Sequence, residues 1–258
     1  MIGIVLAGGT GTRLSPLTIL ANKHALPLGN VPMIHHAVDL LAKIGITRAI
    51  IVCGDSDASK FMRYFKDGSR FGVSLSYTYQ DRPGGIAEAL GLCRAFASGD
   101  KAFVILADNG VQYVDTLARA VRELGHTDQW RQAAVFTARV DHPEHYGVVQ
   151  LDENGKVIAI LEKPKHPPSD LAVTGFYLYP PDVFEILPTL VPSQRGELEI
   201  TDVNNYYLRE GRLTMYELEG HWWDAGESLA QYHSMHHHVL KYGANHWRNP
   251  PQPAHSEG

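Results

Sequence analysis

Cysteine is nearly absent from this chain: 258 residues carry only Cys53 and Cys93. That excludes a disulfide scaffold. The two stand far apart, each in an apolar segment, and are expected as reduced, buried, small hydrophobes of a cytoplasmic protein. No apolar run reaches the length of a membrane span, and no leader-like segment precedes the first strand, expected from residue 2. An excess of basic charge is missing too. Lys and Arg number 23 against 28 Asp and Glu, a formal charge of −5, so the footprint of a nucleic-acid binder is not there. Neither nucleic acid nor a membrane is expected as a partner. Internal repeats are lacking. Two common phosphate loops are also excluded by spacing: no Gly-Lys-Ser/Thr occurs, and the sixth position counted from Gly9 is Leu14 where a dinucleotide fingerprint needs glycine.

What the chain does carry, near its start, is glycine in a particular setting. The run Ile2-Gly3-Ile4-Val5 leads into Leu6-Ala7-Gly8-Gly9-Thr10-Gly11-Thr12-Arg13-Leu14, with Lys23 a short way on. The pattern predicts a buried strand emptying into a loop whose backbone N–H groups a polyanion can approach, because glycine has no Cβ to hold it off. Arg13 adds a planar, permanently charged fork and Lys23 a compact point charge. A glycine turn without a ligand is the bland alternative; two cations and a leading strand favour a phosphate site.

The length suits one domain or one and a half. Its first half alternates strands and helices: strand Ile2–Leu6, helix Met33–Ile44 with Pro32 at its start, strand Arg48–Cys53, helix Ser56–Phe65, strand Val73–Tyr79, helix Ile86–Ala97 and strand Ala102–Leu106. That order predicts a doubly wound sheet with ligands at the carboxyl ends of strands. The second half is β-rich, with strands expected at Ala133–Val140, Gly147–Leu151, Val157–Glu162 and Val173–Tyr179. Short helices follow at Pro181–Leu187 and Ile200–Glu210, then a strand at Leu213–Leu218 and a last helix from near Glu227. From Tyr242 onward the Pro-rich, polar composition predicts a disordered tail.

Several groups carry chemistry. Asp108 stands beside Asn109 where a central strand ends, the usual place for a metal-binding carboxylate in an α/β protein; its alternative is a helix N-cap. Asp224 lies in His221-Trp222-Trp223-Asp224-Ala225-Gly226, again before a glycine. Two such carboxylates suit Mg²⁺, which takes one or two carboxylates plus substrate phosphates. Glu162-Lys163-Pro164 ends a strand, leaving Lys163 for a second phosphate and Glu162 for sugar hydroxyls; a solvated strand end is the alternative. In Gln80-Asp81-Arg82-Pro83-Gly84-Gly85, an amide that both donates and accepts suits the edge of a base. His233 and His237 share a helix face at i, i+4, but no acidic or Cys ligand is near in sequence, so a metal pair there is disfavoured.

Taken together, these residues closely resemble the sugar-1-phosphate nucleotidyltransferases, and among them the glucose-1-phosphate thymidylyltransferases in their short form. The resemblance spans about residues 1–235 and rests on GGTGTRLSPLT, NKHALPL, QDRPGGIAEAL, EKP, AVTGFYLY, RGELEITDVNNYYL and WWDAG, in order. It implies an α/β fold: a doubly wound, Rossmann-like mixed sheet with a β-rich sugar-binding portion. The nucleotide-binding part would cover 1–130, the sugar-binding part 131–225, a C-terminal helix 226–241 and the tail 242–258. It implies that dTTP is bound by Leu6, Gly8, Gly9, Gly11, Thr12, Arg13, Gln80, Pro83, Gly85 and Asp108. The sugar 1-phosphate would be held by Asn109, Tyr146, Gly147, Glu162, Lys163, Val173, Thr174 and Trp223. Arg13, Lys23, Asp108 and Lys163 would be catalytic, Asp108 and Asp224 would hold Mg²⁺, and the assembly would be a homotetramer.

The implied reaction gives dTDP-sugar and pyrophosphate by in-line attack on the α-phosphorus. UTP, or another sugar 1-phosphate, is the nearest alternative; a catalytically weak nucleotide-sugar-binding protein is the alternative of another class. Departures from the family pattern fall in Ala107-Asp108-Asn109-Gly110-Val111, where Gly-Asp-Asn-Ile-Phe is usual, and at Leu161. Ala107 is harmless only with negative φ. Loss of the aromatic at Val111 predicts open space near the metal loop, and with it tolerance of a second sugar.

Overall fold

A strand covered on both faces needs a continuous apolar run, and β1 (Ile2–Ala7) has one, all six residues being buried. The structure, a computed structural model, describes residues 1–54, 57–82, 84–97, 99–125 and 131–250. After β1 and two short 3₁₀ turns, β2 (Pro27–Leu28) and β3 (Val31–Pro32) make a small antiparallel pair that feeds α1 (Met33–Lys43). β4 (Arg48–Gly54), α2 (Ala58–Phe65), β5 (Ser74–Gln80), α3 (Ile86–Gly91), α4 (Arg94–Ala97) and β6 (Ala102–Leu106) follow. Of the helix expected over Ser56–Phe65, Ser56 lies outside the described residues. The single helix expected over 86–97 is two: Gly91 favours helix poorly, and Cys93 N closes a tight turn on the carbonyl of Leu90 at 3.0 Å.

β7 (Asn109–Val111) and α5 (Asp115–Gly125) complete the first half. The second half runs β8 (Ala133–Arg139), β9 (Gly147–Leu151), β10 (Val157–Glu162), β11 (Leu171–Tyr179), α6 (Val183–Ile186), α7 (Ile200–Arg209), β12 (Leu213–Glu217), β13 (Trp222–Asp224) and α8 (Leu229–Tyr242). The last helix starts two residues after Glu227 because Ser228 is its N-cap, its side chain accepting from Gln231 N at 3.2 Å.

Nine strands form one mixed sheet in the order β10-β9-β11-β6-β1-β4-β5, with β8 paired to β11 and β12. β1, β4, β5 and β6 are mutually parallel, whereas β11 runs antiparallel to β6, β8 and β9. One apolar cluster includes Ile34 and Leu41 of α1, Phe61 and Phe65 of α2 and Leu117 of α5. The other includes Leu90 of α3, Phe184 of α6 and Val203 of α7, so the sheet is covered on both faces. Each fully buried large aliphatic contributes about 1.5–3 kcal/mol. β7 and β13 stand apart as a two-stranded antiparallel ribbon, Asp224 opposite Asn109. A third cluster under α8 joins Trp223, Tyr232 and Met235 to Leu14, Leu28 and Met33.

The tail differs from the sequence expectation. Through residue 250 it is docked on the fold: Asn245 is buried, Trp247 packs against the main core, and Asp115 accepts from the N–H groups of Arg248 and Asn249 at 2.8 and 2.9 Å. Residues 251–258 lie outside the described residues. Both cysteines are free and buried, and burial pushes each thiol up to about 12. No helix of the described residues is long and apolar enough to cross a membrane.

Candidate active site

The carboxyl ends of β1, β5 and β6 open into a cavity of about 420 Å³ whose far wall is made by β9, β10, β11 and the start of α7. At the first end lies the glycine-rich loop. Gly11 has φ 70°, and a Cβ there would stand 2.8 Å from Cβ of Lys23. The loop thus folds against the lysine stem, leaving the ammonium among the carboxylates. Lys23 Nζ is paired with Asp108 Oδ2. Burial alone would pull Lys23 down, but Asp108 and then Asp224 hold it above its ordinary value. Asp108 would be raised by burial, yet Lys23 and His24 keep it well below the usual carboxylate range. Asp224 has no such close partner, and burial together with the charge of Asp108 pushes it up to about 7.

Asp108 is not a helix cap. It leads into β7, and Ala225 N donates to its carbonyl at 2.9 Å, joining the two carboxylate-bearing strands. Its Oδ1 accepts from Asn109 Nδ2 at 3.1 Å. Asn109 Oδ1 in turn accepts from Trp222 Nε1 and from Gly175 N, both at 2.8 Å. A Cβ on Gly175 would stand 2.6 Å from Asn109 Cγ, so only glycine lets β11 come this close. Among the described non-glycine residues, positive φ is confined to Lys66, Lys163 and Asn245, so Ala107 sits in ordinary backbone.

On the opposite wall, Lys163 takes φ 43° and donates its N–H to the carbonyl of Tyr146 at 2.9 Å, which turns it out of β10 into the cavity. Burial, then the positive charge of Arg195, lowers its pKa. Glu162 Oε2 accepts from Thr201 Oγ1 at 2.5 Å, and its Oε1 lies 3.6 Å from the Arg195 guanidinium. Arg195 is fixed by Glu199 through Nε at 3.1 Å and Nη2 at 2.8 Å. Pairing of β11 with β8 shifts register between Val173 and Tyr177, and across this irregular stretch Val173, Thr174 and Gly175 all line the cavity. At the end of the cavity nearest β5, Gln80 is buried at the tip of that strand. Gly84 O accepts from Leu198 N at 3.1 Å, tying the loop before α3 to the segment before α7.

The nucleotidyl transferase family model matches residues 2–241. The chain belongs to that family. A glucose-1-phosphate thymidylyltransferase from Actinoplanes is 42% identical over 218 residues, covering 83% of this chain and 70% of the relative. The solved structure of a candidate glucose-1-phosphate thymidylyltransferase from Bacillus anthracis, in complex with sucrose, is 44% identical with a TM-score of 0.86, covering 93% of this chain and 96% of that one. UDP-glucose pyrophosphorylase complexed with UDP-glucose superposes with a TM-score of 0.78 at 24% identity, over 93% and 98% of the two chains; that likeness speaks to the fold alone.

In this nucleotidyltransferase the cavity gathers Leu6, Gly8, Gly9, Gly11, Thr12, Arg13, Lys23, Gln80, Gly85, Asp108 and Asn109 on one side. Tyr146, Gly147, Glu162, Lys163, Val173 and Thr174 come from the other, and Asp224 sits beside Asp108 on the paired strand β13. Pro83 lies outside the described residues. Trp223 is a correction: it points away from the cavity, its Nε1 donating to Ser234 Oγ at 3.1 Å, and Trp222 takes the cavity side. Alternation along β13 explains this, since Asp224 and Trp222 share a face and Trp223 has the other. The space expected at Gly110 and Val111 is a second correction. Val111 is buried in the core, and a Cβ on Gly110 would stand 2.1 Å from Met235 Cε, so α8 fills that side. Arg195, Glu197, Glu199 and Thr201 also line the cavity; the sequence offered them only within the RGELEITDVNNYYL motif, with no role assigned to any one of them. His233 and His237 join no cluster of three or more metal-capable side chains among the described residues.

Proposed function

We propose that this nucleotidyltransferase moves a thymidylyl group from dTTP to glucose 1-phosphate. The observation that carries the reading is one continuous cavity with two cationic ends, Arg13 and Lys23 at one and Lys163 with Arg195 at the other, and with the buried Asp108 and the half-buried Asp224 beside Lys23. An oxygen of the sugar phosphate attacks the α-phosphorus, a new P–O bond forms, and the bond to the β-phosphate oxygen breaks, releasing pyrophosphate. A phosphate monoester is already largely dianionic at pH 7, so no general base is needed. Catalysis then consists of alignment and charge stabilisation, with single preorganised donors worth about 2.7–4 kcal/mol.

Lys163 and Arg195 hold the sugar phosphate, Glu162 accepts from ring hydroxyls, and Arg13 and Lys23 take the triphosphate. Gln80 and Gly85 face the base. The donor set also fits a divalent cation. Burial first, and then the neighbouring charge of Asp108, raise Asp224, and a cation held by both acids would offset that charge. Asp108 and Asp224 would hold Mg²⁺, with remaining positions for substrate oxygens. Bound there, Mg²⁺ supplies neutralisation of developing phosphate charge. Family resemblance further supports a cytoplasmic homotetramer, which light scattering after size exclusion tests.

Pyrophosphate release from a panel of dTTP, UTP, ATP and GTP against several sugar 1-phosphates, with Mg²⁺, tests the reading. The expected order is dTTP with glucose 1-phosphate first and UTP behind it by about 10–200-fold, the worth of a methyl group, with purine triphosphates far behind. Equal use of ATP or GTP refutes the base reading. No turnover with any pair returns the protein to the binding class.

A further inference from the structure

We propose that the C-terminal strap, residues 243–249 anchored by Asn245, is a positioning element for the carboxylate end of the site. The inference rests on the reading of Asp108 and Asp224 as the metal carboxylates. Both are carried by the β7–β13 ribbon, which stands outside the nine-stranded sheet. A lone two-stranded ribbon is marginally stable in water. The end of β7 and the residues that follow it are held by the strap: Asn245 N donates to Val111 O at 3.4 Å, His246 N to Gln112 O at 3.0 Å, and Val114 N to His246 O at 2.9 Å.

The strap is itself fixed at both ends. Asn245 is 1% exposed and takes φ 56°, a conformation asparagine tolerates better than most residues. Its Nδ2 donates to the carbonyl of His36 at 2.8 Å and to Asp39 Oδ2 at 3.0 Å, both on α1. Beyond it, the Asp115 carboxylate at the start of α5 accepts from two strap N–H groups. The strap thus reaches from α1 to α5 and holds β7 in between. The sugar-side wall comes from β9, β10 and β11, none of which the strap hydrogen bonds touch; the ribbon meets that wall at Asn109, whose Oδ1 accepts from Gly175 N at 2.8 Å and which lies at the end of β7 away from the strap. A loosened strap should therefore disturb the metal end and spare sugar binding.

Asn245→Gly keeps the backbone conformation and deletes the Nδ2 contacts; Asn245→Asp sets a second carboxylate against Asp39; Asp115→Asn weakens the other anchor more mildly and serves if the first two fail to fold. For the full-length variants, amide hydrogen exchange at Gln112, Val114 and His246 should quicken at least tenfold, with β1, β4 and β6 unchanged. The Mg²⁺ concentration for half-maximal activity should rise about three- to tenfold, less than the roughly 10–100-fold of direct supporting-shell changes because the strap acts one step further out, while KM for glucose 1-phosphate stays within twofold. Asp39→Asn in the Asn245→Asp background should recover much of the shift. Exchange quickened evenly over the whole sheet, or an unchanged Mg²⁺ requirement in a protein that depends on Mg²⁺, overturns the proposal and leaves the strap a clamp on the fold. If wild-type activity needs no divalent cation, the carboxylate reading itself fails; the exchange pattern alone then decides whether the strap positions the ribbon.

Discussion

Gly226→Ala is the sharpest single test of how tightly the cavity carboxylates are packed. A Cβ at this position would lie 2.1 Å from Asp108 Oδ2, 3.0 Å from Asp108 Cγ and 2.8 Å from Lys23 Nζ. Backbone strain is not involved, because φ of Gly226 is not positive. Nor can the carboxylate swing aside freely: Lys23 holds Oδ2, and Asn109 donates to Oδ1 at 3.1 Å. Asp108 must therefore retreat by about an ångström or the 225–227 turn must lift. Overpacking of this kind costs about 1–3 kcal/mol in stability, and a misplacement of about 1 Å at a reacting centre lowers turnover on the order of 100-fold. Thermal unfolding and pyrophosphate release across a Mg²⁺ titration read the two effects separately. Gly91→Ala is the control: in α3, with its nearest neighbour 3.9 Å away, it should raise stability by about 0.5–1 kcal/mol and leave turnover alone. A Gly226→Ala enzyme with wild-type kcat and wild-type Mg²⁺ half-saturation would falsify the packed arrangement of Asp108, Lys23 and Gly226.

Other expectations address charge and sugar recognition. His24, buried behind the phosphate loop, is lowered to about 3 by burial first and by Lys23 second. Below pH 6.5 the unfolded chain takes up a proton that the folded site refuses, so stability falls as pH drops from about 6.5 towards 3. At about 1.36 kcal/mol per unit, roughly 2 kcal/mol should be gone at pH 5. His24→Gln should flatten that dependence in urea unfolding at pH 7.5 and 5.0; equal slopes refute the assignment. Lys163→Ala should damage use of every sugar 1-phosphate alike, since all share the phosphate. Glu162→Gln should instead reorder the sugars, and a uniform loss across epimers and deoxy sugars would remove its role as a ring reader. Asp108→Asn should abolish activity while thermal unfolding shows the fold intact.

The two halves of the chain differ in how openly they declare themselves. Buried parallel strands such as β4 and β6 read directly from continuous apolar runs, and the glycine-rich loop from its flanking cations. Trp222 and Trp223 are equally apolar, so composition could not choose between them; counting back two residues from Asp224 does. The cavity role of Arg195 was harder, because an arginine in a charged stretch is usually solvated and only the distant Glu162 shows what it faces. The filling of Gly110 by Met235 and the docking of the tail depend on contacts across 125 or more positions of sequence. No local pattern reports these. Asn245 in a polar, proline-rich tail gave no sign that its side chain would end on α1.

β11 is the seam of the molecule. Phe176–Tyr179 pairs with β6, whose end delivers Asp108, while Ala172 pairs with β9 and the Val173–Gly175 stretch lines the cavity. The nucleotide side and the sugar side are consequently parts of one continuous sheet, not two lobes on a swivel. Opening the site by rotating one half against the other would tear main-chain hydrogen bonds along that strand. The span between the phosphate loop and Lys163 behaves instead as a ruler of set length. A sugar too bulky for the span is rejected by the frame itself, before any hydroxyl has been read.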